Sequence, residues 1–200
     1  SSLLFFKICL NKKSIKSIIL TSIFVALGFY AKYAMIYFFL SSIVLILFTD
    51  DKKELIKNIL IIFFIVLILI SPHLYWVYST NWVTFIHTGD NFNWNASLYN
   101  FEQLINFIVS QFFISTPIIL FIFIKQFAKT KKFIQSYSFE IAYSLPILVL
   151  ITAQSFISRA NANWSSVAFI GVTMIAVNIL YKNYKKIFLL NTTLGLAVLI

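Results

Sequence analysis

Two stretches of this chain, Asn58–Tyr78 and Leu104–Ile124, contain no Lys, Arg, Asp or Glu. A helix rises about 1.5 Å per residue, so about 20 apolar residues cross a hydrocarbon core of roughly 30 Å. Windows of this kind confine the chain to an all-α membrane fold, because only a helix pairs every backbone polar group within one segment in lipid. Composition agrees: the 200 residues are 60% hydrophobic and 11% charged, against about 25% charged in soluble domains. Two further segments, Phe139–Ile157 and Trp164–Tyr181, are slightly shorter and still adequate. The apolar stretches Leu3–Leu10 and Ile187–Ile200 read as the tail of an upstream span and the start of a downstream one. The basic residues Lys12, Lys13 and Lys16 follow the first stretch rather than precede it, which argues against a signal peptide. The lone Cys9 carries no redox information.

The segment Ser17–Phe48 is too long for one span, since its 32 residues would make a helix of roughly 48 Å. Gly28 and Lys32 interrupt it, and the reading adopted is a short helical hairpin over 17–48 with its turn at Ala31–Lys32. Charge placement supports the split, because cytoplasmic loops carry the excess of Lys and Arg. With the hairpin, the clusters Lys7/Lys12/Lys13/Lys16, Lys52/Lys53/Lys57, Lys125/Lys129/Lys131/Lys132 and Lys182/Lys185/Lys186 fall on one side. Of the 16 cations only Lys32 and Arg159 fall opposite. The net charge of +10 therefore orients the chain in a membrane, with anionic lipid as its partner and no nucleic acid. The expected architecture is a single, partial transmembrane domain over 1–200. It is a polytopic helix bundle with about six spanning segments plus truncated segments at both ends, and 79–103 forms an outer loop rich in Asn and aromatics.

Two residues are candidates for binding. Lys32 lies between apolar helices, where a lysine is a functional hypothesis by default; the alternative is a cation snorkelling at a helix end. Arg159, the only arginine, presents a planar fork suited to phosphate or carboxylate on the same face, or is an ordinary interface residue. Together the pair suits an anionic headgroup such as a lipid phosphate. Asp90, Glu102, His73 and His87 also fall on the outer side without a partner that would give them a role, and their spacing does not form a metal site. Glu140 and the run Asp50–Glu54 read as cytoplasmic helix-end charges. No phosphate-cradling loop, nucleophile elbow or metalloprotease motif occurs, and no metal or cofactor is expected.

Three blocks carry a resemblance: Leu27-Gly28-Phe29-Tyr30-Ala31-Lys32-Tyr33; Ser71-Pro72-His73-Leu74-Tyr75-Trp76 followed by Asn81-Trp82-Val83-Thr84-Phe85; and Ala160-Asn161-Ala162-Asn163-Trp164. In this order and spacing the set resembles bacterial polytopic glycosyltransferases related to the protein O-mannosyltransferases and the lipid A aminoarabinose transferases, of family 39 type. Where that family commonly continues the last block with Pro, this chain has Ser165. The resemblance implies a GT-C fold in the bacterial inner membrane that transfers a sugar from a polyprenyl-phosphate-linked donor to an acceptor at the outer face. It also implies that Lys32 contacts the lipid phosphate. Arg159 is not a matched position, and its proposed role rests on topology. The family's catalytic carboxylate is expected upstream of this chain, so no catalytic residue is assigned within it. Two other readings stay open: a lipid or solute transporter using the same cations, and an inactive gene remnant.

Overall fold

Apolar segments in lipid must pair their own backbone groups, and among the described residues the structure contains helices and no strand. The computed structural model describes residues 2–12, 14–92, 99–115, 117–127, 131–158 and 160–199. The chain divides into two units, Ser1–Asn91 and Phe92–Ile200.

In the first unit α1 (Ser2–Lys12) is followed by α2 (Ile15–Ala31), a 3₁₀ turn (Tyr33–Ile36) leading into α3 (Tyr37–Leu45), a second 3₁₀ turn (Ile46–Phe48), α4 (Lys52–Ser79) and α5 (Val83–Phe92). Helix α2 packs on both α1 and α4. It can approach closely because, apart from Ile18 and Val25, its buried face is made of small residues, Ser17, Thr21, Ser22 and Ala26. The hydroxyls on that face donate to carbonyls one turn back, Thr21 to Ser17 O at 2.7 Å and Ser22 to Ile18 O at 2.9 Å, so burying them leaves no donor unpaired. Aromatic contacts fill the remaining space: Phe5 stacks on Phe24 at 5.4 Å, Phe6 meets Phe38 at 5.3 Å, and Phe39 meets Phe63 at 5.5 Å. Helix α4 opens with Asp51 as N-cap, accepting from the Glu54 N–H at 3.3 Å, which satisfies one of the orphan donors of the first turn. Glu54 then pairs with Lys57 at 3.7 Å.

The second unit contains α6 (Phe101–Ser115), α7 (Pro117–Phe127), α8 (Lys131–Ser136), α9 (Ser138–Ala142), α10 (Leu145–Ile157), a 3₁₀ helix (Ala162–Ala168), α11 (Phe169–Asn183) and α12 (Lys185–Leu199). Its core gathers Ile119, Leu120 and Phe123 of α7, Ile141 of α9, and Phe169, Val172, Ile175, Ala176 and Ile179 of α11. Pro146 sits in the first turn of α10, where its missing N–H removes no intrahelical bond. Asn100 caps α6 through the Gln103 N–H at 3.1 Å, while its own N–H donates to Phe156 O at 2.9 Å.

By length and composition, Lys52–Ser79, Ser138–Ile157 and Ala162–Lys182 are each sufficient to cross a membrane; Phe101–Ser115 with Ile118–Lys125, set at 106°, makes a fourth if the two are one broken span. The other two apolar segments are shorter helices, Ile15–Ala31 and Tyr33–Phe48. The segment 79–103, expected as loop, begins with a turn that leads into α5, and residues 93–98 lie outside the described residues. In that turn Asn81 (φ 54°) and Trp82 (φ 60°) take the left-handed region, which Asn tolerates and Trp rarely adopts. The reversal lets the Trp82 N–H donate to Val77 O at 3.0 Å, closing the end of α4.

Candidate functional site

Lys32 is a single extended residue (φ −163°, ψ 130°) between α2 and the 3₁₀ turn that starts α3. Its N–H donates to Gly28 O at 2.8 Å, and its carbonyl accepts from Met35 N–H at 3.1 Å, so neither backbone group is left unpaired at the break between the helices. Gly28 faces Met35 across this break: a Cβ there would lie 2.7 Å from Met35 Sδ, the far end of a flexible side chain. The Lys32 side chain is exposed, and no ion pair to it occurs among the described residues.

The elbow is held against the far end of α4. His73 lies 21 residues beyond Lys52, roughly 30 Å along the helix axis. Lys32 thus stands at the end of α4 opposite Lys52, Lys53 and Lys57. Pro72 shapes this end, because it cannot donate to Ile68 O and its ring disturbs the turn below it. Hydroxyls occupy the carbonyls of that turn: Ser71 donates to Ile68 O at 2.8 Å, and Tyr30, from the last turn of α2, donates to Leu69 O at 3.1 Å. Beside them the Tyr33 hydroxyl and His73 Nε2 share a hydrogen bond of 2.7 Å. The His73 ring is the hub of an aromatic cluster, with Tyr30 at 5.5 Å, Tyr33 at 5.7 Å and Trp76 stacked at 5.7 Å. Tyr33 in turn stacks on Phe85 of α5 at 5.6 Å, and Phe85 meets Trp82 at 5.7 Å. The arrangement sets an exposed lysine one residue before Tyr33 of this ring cluster; an ammonium can hold an anionic group, and rings an apolar or sugar surface.

Arg159 lies outside the described residues, as do Asn95 and Lys129. Asp90 and His87 are exposed on α5, and Glu102 is exposed in the first turn of α6. No group of three or more metal-ligating side chains occurs among the described residues. The residue that sequence reasoning left without a role, and that the structure brings to Lys32's elbow, is His73. The signal was its position in a helix that otherwise carries no charge from Asn58 to Tyr78, since an ionisable residue inside a span is a site candidate by default.

In the second unit the block Ala160–Trp164 is tied to α6 by a buried amide. Gln111 Nε2 donates to Ala162 O at 3.3 Å and to Phe107 O at 3.1 Å, and Gln111 Oε1 accepts from the Ser165 hydroxyl at 2.5 Å. Ser165, where the resembling sequences commonly carry Pro, supplies a donor that Pro lacks.

Residues 1–76 match the family described as dolichyl-phosphate-mannose-protein mannosyltransferase. Over 139 residues the chain is 29% identical to the lipid A galacturonosyltransferase RgtD of Rhizobium johnstonii; the alignment covers 66% of this chain and 29% of that protein. No solved structure matches the chain. Both matches are to sugar transferases, and the resemblance to GT-C glycosyltransferases read from the three sequence blocks is borne out. The family match includes Lys32, Tyr33, Pro72 and His73.

Proposed function

We propose that this chain forms the donor-lipid side of a membrane glycosyltransferase of GT-C type, with Lys32 receiving the phosphate of a polyprenyl-phosphate-linked sugar at the outer face of a bacterial inner membrane. The observation that carries the reading is an exposed lysine at the break between α2 and the following 3₁₀ turn, beside the end of α4 opposite Lys52, Lys53 and Lys57 and inside the family match. In the proposed reaction an acceptor hydroxyl oxygen attacks the anomeric carbon. The bond from that carbon to the phosphate oxygen breaks with its electron pair leaving on the phosphate, and the hydroxyl proton goes to a base. Negative charge grows on the departing phosphate, and a cation already in place stabilises it without reorganisation. Arg159 is proposed as a second cation for the same phosphate. None of the chain's six acidic residues is given the role of base.

The relative's name makes a uronic sugar and lipid A the first donor and acceptor to try. The test is Lys32→Ala in the full-length protein, assayed in membranes for consumption of lipid-linked sugar. The expected result is a loss of about 10²- to 10³-fold, the size of losing one preorganised charge contact, with insertion into the membrane unchanged. Full turnover in this variant removes Lys32 from the site.

A further inference from the structure

We propose that His73 is a positioning residue for Lys32: its hydrogen bond to Tyr33, one residue after the lysine, clamps the elbow onto the turn of α4 that carries Pro72 and so sets where the ammonium stands. This inference rests on the reading of Lys32 as the phosphate-binding cation.

The argument begins with how little else fixes Lys32. Its backbone is extended between two short helices, its side chain is exposed, and the two local bonds, to Gly28 O and from Met35 N–H, tie it only to its own hairpin. Helix α2 already packs along α4, so what the contacts at the elbow end set is the local position of residues 30–33. Two bonds cross there. Tyr30 donates to Leu69 O at 3.1 Å and Tyr33 meets His73 at 2.7 Å, so the residues two before and one after Lys32 are both pinned to α4. Pro72 lies in the same turn: it has no N–H to give Ile68 O, which the Ser71 hydroxyl serves instead, and Leu69 O beside it takes the Tyr30 hydroxyl from the neighbouring helix. His73 follows Pro72 directly and is packed by Tyr30, Tyr33 and Trp76, so its ring cannot swing away without unstacking three neighbours. His73 itself is one residue removed from the cation, and its Nε2 is engaged by Tyr33, so it acts through Tyr33 and not on the substrate.

The test uses the full-length protein and the single variants His73→Phe and Tyr33→Phe, the double variant, and His73→Gln, which restores a hydrogen-bonding group. Removing one such bond is worth about a threefold to tenfold change. Each single variant is expected to raise KM for the lipid-linked donor by that amount with kcat within twofold. The double variant should be no worse than either single one, and His73→Gln should recover part of the loss. Additive effects in the double variant would overturn the clamp. A second measurement needs no substrate: with Lys32→Cys in a cysteine-free background, His73→Phe should change the rate of thiol modification by a charged methanethiosulfonate reagent at least threefold. An unchanged rate refutes the clamp directly. A changed rate with unchanged KM keeps the clamp and removes the phosphate reading on which its purpose rests. Tyr33→Phe, which loses only a hydroxyl, keeps both measurements available if His73→Phe fails to insert.

Discussion

Gly28 and Gly171 lack the same side chain and meet different surroundings. At Gly28 a methyl group would press on Met35 Sδ and Cγ, 2.7 and 2.9 Å away, the far end of a flexible side chain. Alanine in a helix gains up to about 1 kcal/mol over glycine, which offsets much of the cost of moving Met35. At Gly171 the methyl would meet the Ser144 hydroxyl and, at 2.6 Å, the backbone carbonyl of Glu140. A backbone carbonyl of a packed helix cannot step aside, and overpacking costs about 1–3 kcal/mol. Gly28→Ala should therefore leave the thermal midpoint nearly unchanged, while Gly171→Ala lowers it. Adding Ser144→Ala to Gly171→Ala should recover only part of the loss, because the Glu140 carbonyl remains.

At the scale of elements, the block Ala160–Trp164 depends on a partner far away in sequence. Ser165→Ala removes the donor to Gln111 Oε1 and leaves a buried acceptor unpaired. Inside a membrane protein such a loss is worth about 1–2 kcal/mol, read as a lower thermal midpoint in mild detergent. Ser165 stood out in the sequence only as a departure from the resembling pattern, and Gln111 did not stand out at all, since the two are 54 residues apart. The same holds for His73 and Tyr33, 40 residues apart. Helical character was legible because charge-free windows have one solution in lipid, and Lys32 was legible because it stands apart from the other lysines. What sequence spacing cannot express is which turn of α4 lies beside which turn of α2. That depends on small residues such as Ser22 and Ala26 on the α2 face letting the helices approach.

For the whole molecule, orientation rests on the lysine clusters, and it can be checked with positions the structure describes. Single cysteines at 32 and 53 should label from opposite sides, position 32 from outside in intact cells or spheroplasts and position 53 only in inverted vesicles. The reverse pattern would turn the protein over and place the proposed site on the cytoplasmic face. Because the alignment covers 29% of the relative's length, activity measurements belong to the full-length protein.

The carbonyls beside Pro72 are served by Ser71 and by Tyr30, one donor from the same helix and one from its neighbour. Water can replace Tyr30 as donor, but then no hydrogen bond to Leu69 O links α2 to α4 at that turn. The choice of solubilising agent accordingly has a specific effect: a detergent that admits water at the outer end should uncouple the two helices there while leaving each helix intact. Full-length protein in harsh detergent is expected to keep full helical circular dichroism and lose the proposed transfer activity, and reconstitution into lipid should restore it.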